Sequence, residues 1–262
     1  MNIILHELKS NLKGFIIWAV SLGLLFWVAS FEYEFMANSQ EIAAAMESFD
    51  FLFEALAGTM VDITTPEGYL SLVSIYIYLP LAIYSGLLGS NIIAKEERDK
   101  TAEYLFTLPV KREKVILNKL VVALFYTVII NVVLLTITYF AFGQLGTSSS
   151  YNAFVFNMAL GVLLTQLIFM GLGMAVSAIL EQYKKAGSIT IGILMGTFML
   201  SILIGLTDKI DFMKYFTPFK YFSVDLMLEG DFKLIFIIIA FVLIIGSISS
   251  VFYFYKKRDL FI

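Results

Sequence analysis

The hydrophobic residues of this chain are gathered into blocks rather than alternated. Six stretches, residues 14–31, 69–94, 120–142, 153–180, 186–206 and 234–255, contain no Asp, Glu, Lys or Arg. An α-helix rises ~1.5 Å per residue and needs roughly 20 apolar residues to cross the hydrocarbon core of a bilayer, so each block predicts one transmembrane helix. Polar character is left to the ends and the connections, chiefly residues 32–68, 95–119 and 207–233. The expected fold class is all-α: one polytopic transmembrane domain over residues 1–262, with six spans and a small external cap.

Two shorter patterns have helical period. In residues 1–13, Ile4, Leu5, Leu8 and Leu12 gather on one side and Lys9 and Lys13 on the other, which predicts an interfacial helix leading into the first span. Val28-Ala29-Ser30 has the small residues of a signal-peptide cleavage site, but the first block is expected to be retained as a span. In residues 32–68, Ile42, Met46, Phe49, Phe53 and Leu56 recur at helical spacing, with Glu47, Asp50 and Glu54 opposite them. Helices lying on lipid usually present Lys and Arg to it, whereas this one presents acids. It is expected to pack against residues 207–233, a segment dense in aromatics and too long for a simple turn, to form the cap.

Charge gives the orientation. Of the 18 Lys and Arg in the 262-residue chain, 14 lie on the side of the termini and four between residues 206 and 234. The positive-inside rule therefore places both termini and residues 95–119 in the cytoplasm. The expected location is the cytoplasmic (plasma) membrane of a bacterium. Hydrophobic residues make up 60% of the chain and charged residues 15%, too few charges for a soluble globular protein or a nucleic-acid binder. There is no cysteine, and the one histidine, His6, sits near the N-terminus. Metal sites, cofactor sites and intramembrane proteolysis thus lack their usual residues, and no catalytic residue is expected.

Residues 95–119, KEERDKTAEYLFTLPVKREKVILNK, form the one strongly charged block. The residue before a proline is pushed out of the helical region, so Leu108-Pro109 divides this loop into a short helix around 101–107 and a second helix that runs on into the third span. Leu105, Phe106 and Leu108 are apolar side chains that water should not meet unless a partner covers them. Glu97-Arg98, Thr101, Glu103, Leu105, Leu108-Pro109-Val110 and Lys119 resemble the loop between the second and third spans in permease subunits of ABC type 2 transporters, although Lys100 stands where that pattern has glycine. Six spans, an amphipathic N-terminus and the basic end FYKKRDLFI are similar to the same family.

The resemblance implies a coupling helix carrying Glu97, Arg98, Thr101, Glu103, Leu105, Phe106, Leu108 and Pro109, docked into a separate ATPase subunit. It also implies a complex of two ATPases, which hold ATP and Mg, with two permeases, alike or paralogous. The chain itself has no P-loop, since no glycine in it is followed by lysine. Gly192 and Gly196 form a GxxxG in the fifth span, open to dimer packing or to packing within one subunit. Polar residues inside the blocks are few: Asn91, Asn131, Asn157 and Gln166 are expected to hydrogen-bond neighbouring helices, and Pro80 to kink the second span.

A pathway lined by Phe, Tyr, Leu and Met suits an amphipathic cargo. The external segments resemble those of exporters of phenol-soluble-modulin-type peptides, and Glu47, Asp50 and Glu54 are candidate contacts for cationic stretches of such a peptide. An ion-coupled secondary transporter is the alternative class, expected to carry an intramembrane carboxylate that the six blocks lack. A non-transporting sensor or immunity membrane protein fits the same pattern.

Overall fold

The computed structural model describes residues 3–37, 65–99, 111–143, 149–180 and 182–257. In chain order the helices are α1 (Ile3–Ala37), α2 (Pro66–Val73), α3 (Ile75–Arg98), α4 (Arg112–Gly143), α5 (Ser149–Ile179), α6 (Tyr183–Leu206), α7 (Val224–Glu229) and α8 (Leu234–Lys257), with 3-10 turns at Asp208–Phe216 and Pro218–Lys220. Among the described residues there is no strand, and six helical stretches are long and apolar enough to cross a membrane, α2 and α3 together forming the second. The protein is an all-α, multi-pass membrane protein.

The first three spans overrun their apolar blocks at both ends, and the other three at one end each. The interfacial helix expected over residues 1–13 runs into the first span without a break: α1 is one helix of 35 residues, about 52 Å long, against ~30 Å of hydrocarbon. Gly14 has no described residue within 4 Å of where a Cβ would stand, so no close contact calls for glycine there. The second span is interrupted at Ser74, upstream of Pro80, where the Ser74 carbonyl accepts from both Ile77 N and Tyr78 N at 2.9 Å. Toward the loop, α3 continues to Arg98 and α4 begins at Arg112, so much of the charged block is helix.

α5 stands at the centre, touching α3, α4, α6, α7 and α8, while α1 lies outside against α4. The α3–α5 contact is the tightest in the molecule. A Cβ on Gly89 would stand 2.2 Å from the Met170 carbonyl oxygen, and one on Gly173 would stand 2.2 Å from that of Gly86. Lipid tails are as apolar as leucine, so spans associate by close packing, and only glycine lets two backbones meet in this way. Across the same core Asn131 Nδ2 donates to Gln166 Oε1 at 3.0 Å and to the Ala159 carbonyl at 3.3 Å, joining α4 to α5 as expected of these amides. Asn91 is exposed on α3.

The segment between α6 and α8 has two parts: Phe212, Tyr215 and Phe216 are exposed at the end of the bundle, and the part that follows folds back into it, burying Thr217, Pro218, Phe219, Tyr221, Phe222 and Met227. Phe219 reaches Phe169 and Phe198, each with ring centroids 5.3 Å apart. Thr217 Oγ1 donates to the Thr197 carbonyl at 2.9 Å, about 14 Å from the outer end of α6 at ~1.5 Å per residue. Irregular backbone at such depth needs protein partners for its polar groups. Tyr78 OH donates to the Phe222 carbonyl at 2.9 Å and Asn157 Nδ2 to that of Met227 at 3.0 Å. Gly230, at φ +72°, ends α7 in the left-handed conformation and turns the chain back toward α8. Part of the aromatic density that suggested a cap therefore fills a slot within the bundle, and the acidic helix expected as its partner lies outside the described residues.

Candidate functional site

The loop end of the bundle gathers α1, the end of α3, the start of α4 and the end of α8. Two turns of amphipathic pattern seat the first of these. Ile4 and Leu8 pack against the core, and Glu7, on the same side of the helix, is drawn in with them and buried. Tyr126 OH donates to the Leu8 carbonyl at 2.5 Å and so ties this turn of α1 to α4.

Glu7 meets two lysines there. Lys95 Nζ lies 3.1 Å from Glu7 Oε2, and Lys119 Nζ lies 3.5 Å from Glu7 Oε1. Lys119 also contacts Glu96 Oε1 at 2.6 Å and donates to the Ile92 carbonyl in the last turns of α3. Two acids and two ammonium groups balance, and all four side chains are buried, Lys119 completely (0% exposed). Burying an ion is costly unless its partners and remaining hydrogen-bond positions are supplied, and removing one member leaves an uncompensated charge. The arrangement is a neutral clamp across three helices, placed where α3 leaves for residues 100–110 and where α4 returns from them.

A second, exposed contact fastens α4 to the chain end. Lys256 pairs with Glu113, and Arg112 Nη1 donates to the Lys256 carbonyl at 3.1 Å. Both termini of the described chain and both ends of the loop therefore share one face of the bundle.

The residues expected to carry coupling are divided by the structure. Glu97 is buried in the last turn of α3, and Arg98 is exposed and paired with Asp99 at 3.1 Å. Thr101, Glu103, Leu105, Phe106, Leu108 and Pro109 lie outside the described residues, as do Glu47, Asp50 and Glu54. Gly192 and Gly196 on α6 have no described residue within 4 Å of a built Cβ. Sequence reasoning missed Glu7, Lys95 and Glu96. One signal is available for Glu7, an acid on the face shared by Ile4 and Leu8; Lys95 counts in the sequence only toward the positive charge of its side, and Lys119 toward that charge and the family-like motif, whereas the fold pairs both internally.

The sequence model of the family described as ABC-2 family transporter protein matches residues 1–260, nearly the whole chain. No curated protein matches it.

Proposed function

Since the chain belongs to the ABC-2 family of transporter proteins, a membrane component of ABC transporters, we propose that it is the permease subunit of an ATP-driven exporter. ATP and Mg are held and hydrolysed in a separate ATPase subunit, two copies of which serve two permeases. The observation that carries this reading is the buried Glu7/Lys95/Glu96/Lys119 clamp. A push delivered to the loop between α3 and α4 cannot be absorbed locally, because both ends of that loop are ionically fixed to each other and to α1. It is handed on to three helices together.

The loop residues Thr101, Glu103, Leu105, Phe106, Leu108 and Pro109, with Glu97 and Arg98 at its root, form the docking element. The second permease packs on the outward face of α6 at Gly192 and Gly196, which the single chain leaves uncovered. Asn91 and Tyr76 are exposed on the adjoining α3, and in this reading they are candidates to line the two-permease pathway. Its apolar and aromatic lining suits an amphipathic peptide, drawn in on the outer side by Glu47, Asp50 and Glu54. Six spans in the plasma membrane with cytoplasmic termini follow from the distribution of positive charge.

The test is affinity purification of the tagged chain from native membranes, with ATPase activity and peptide export measured in parallel. A P-loop ATPase should co-elute near stoichiometry. The Leu105→Ala/Phe106→Ala chain should insert normally yet lose both the ATPase and export. Retention of the ATPase and of export by that variant would refute docking through this loop.

A further inference from the structure

At the opposite end of the bundle, a cavity of about 270 Å³ opens between the last turn of α6, the re-entrant segment and the first turn of α8. It is large enough for a small polar group and below the ~300–1,000 Å³ of pockets for drug-sized ligands. Ile204 and Phe236 give it apolar walls at the ends of two membrane helices, and five charged side chains face it: Asp211, Lys214, Lys220, Asp225 and Lys233.

These charges do not cancel in place. Lys214 pairs with Asp211 at 2.5 Å. Among the described residues, Lys220 and Lys233 have no ion-pair partner within 4.0 Å, although Asp225 and Asp211 are near enough to act on Lys220. Burial pushes the Lys220 ammonium below its usual value, the mark of a charge that its surroundings do not fully compensate. Asp225 Oδ1 is out of contact with solvent and accepts no hydrogen bond from the described residues. The cavity thus offers two unpaired ammonium groups and one unused carboxylate oxygen, separated by the space itself.

The level of the cavity follows from its neighbours. Phe212, Tyr215 and Phe216 are exposed on the 3-10 turn that carries Asp211 and Lys214, and Leu206 and Leu234 are exposed at the adjoining helix ends. Aromatic side chains beside the ends of spans mark the headgroup region of a bilayer. Lysine ammonium groups at that level meet lipid phosphates as point charges.

We propose that this cavity binds the headgroup of a phospholipid, its phosphodiester between Lys220 and Lys233 and a hydrogen-bond donor of the headgroup on Asp225. A headgroup with an ammonium or hydroxyl donor satisfies both halves of the site, whereas the quaternary ammonium of choline has no hydrogen to donate. The site stands apart from the transport reading, because binding is read on the purified chain.

The experiment is native mass spectrometry of the full chain in detergent, titrated with phosphatidylethanolamine, phosphatidylglycerol or phosphatidylcholine. One phosphatidylethanolamine or phosphatidylglycerol should be retained per chain, in preference to phosphatidylcholine. Lys220→Gln/Lys233→Gln should weaken retention at least about tenfold, as expected when two lysines at a membrane surface are lost. Lys233→Glu alone, at an exposed position the fold does not need, should weaken it several-fold and guards against misfolding of the double variant. Asp225→Ala, which removes the acceptor, should abolish the preference over phosphatidylcholine. Displacement of the lipid by millimolar inorganic phosphate would assign the same anion site to free phosphate, and resistance to it assigns the site to the lipid. Equal retention by wild type and both lysine variants, or equal binding of phosphatidylcholine by wild type, would overturn the proposal.

Discussion

The two ends of the bundle solve one problem in opposite ways. Each has to hold non-uniform chain among apolar helices. At the loop end this is done with charge: Glu7, Lys95, Glu96 and Lys119 neutralise one another in a buried cluster. At the far end it is done with rings and neutral hydrogen bonds: Phe219 lies between Phe169 and Phe198, and Tyr78, Asn157 and Thr217 satisfy single backbone carbonyls or give to them. The difference is one of brittleness. A charge cluster fails as a unit when one member is lost, while an aromatic slot with separate hydrogen bonds loses a little at a time.

The largest effect is expected from Lys119→Met. It leaves Glu96 buried beside no cation and Glu7 with only Lys95, a loss of about 3–5 kcal/mol. Thermal unfolding in detergent measures it, and Lys119→Met/Glu96→Gln should unfold at a higher temperature than Lys119→Met alone, since the orphaned charge is gone. Lys256→Gln at the same end breaks only an exposed pair and should leave the unfolding temperature unchanged. If Lys119→Met and Lys256→Gln behaved alike, the clamp would have no special standing.

A smaller loss is expected where the ends are joined. Gly173→Ala forces a Cβ against the Gly86 carbonyl, and overpacking of this kind costs about 1–3 kcal/mol. Gly246→Ala, at a position with nothing within 4 Å, is the matched control and should be neutral or slightly stabilising by the same measurement.

The smallest effect belongs to the far end. Tyr78→Phe keeps the ring beside Phe219 and removes only the hydroxyl that serves the Phe222 carbonyl, with an expected loss of about 0.5–1.5 kcal/mol. Hydrogen exchange should rise locally around Phe222 while the loop end keeps its protection. A loss matching that of Lys119→Met would mean that the far end is as brittle as the clamp.

The spans were legible because each is a local property. A block of apolar residues long enough to cross the bilayer must form a helix, since no water is present to take its backbone hydrogen bonds. Asn131 and Gln166 were readable as helix-to-helix contacts for the same reason. Gly86, Gly89 and Gly173 were not: glycine in a span looks alike whether it has open space beside it, as Gly192 and Gly196 do, or meets a second backbone. Residues 207–233 are polar and aromatic together, a composition that does not tell the exposed part, with Phe212 and Phe216, from the part folded into the bundle, with Phe219 and Phe222.

What the sequence by itself determined is the solvent, the number of spans, the side that carries positive charge and the presence of an apolar, charged loop between the second and third spans. Each depends on counting residues along the chain. What only the tertiary structure decided is which charges are free. Lys95 and Lys119 stand 24 positions apart and Glu7 lies far upstream of both, so their meeting depends on the rotation and depth of three helices relative to one another. Lys220 and Asp225 are five positions apart, yet the fold holds them around a cavity without a contact. Coulomb energy depends on separation and burial, and neither is written in the order of residues.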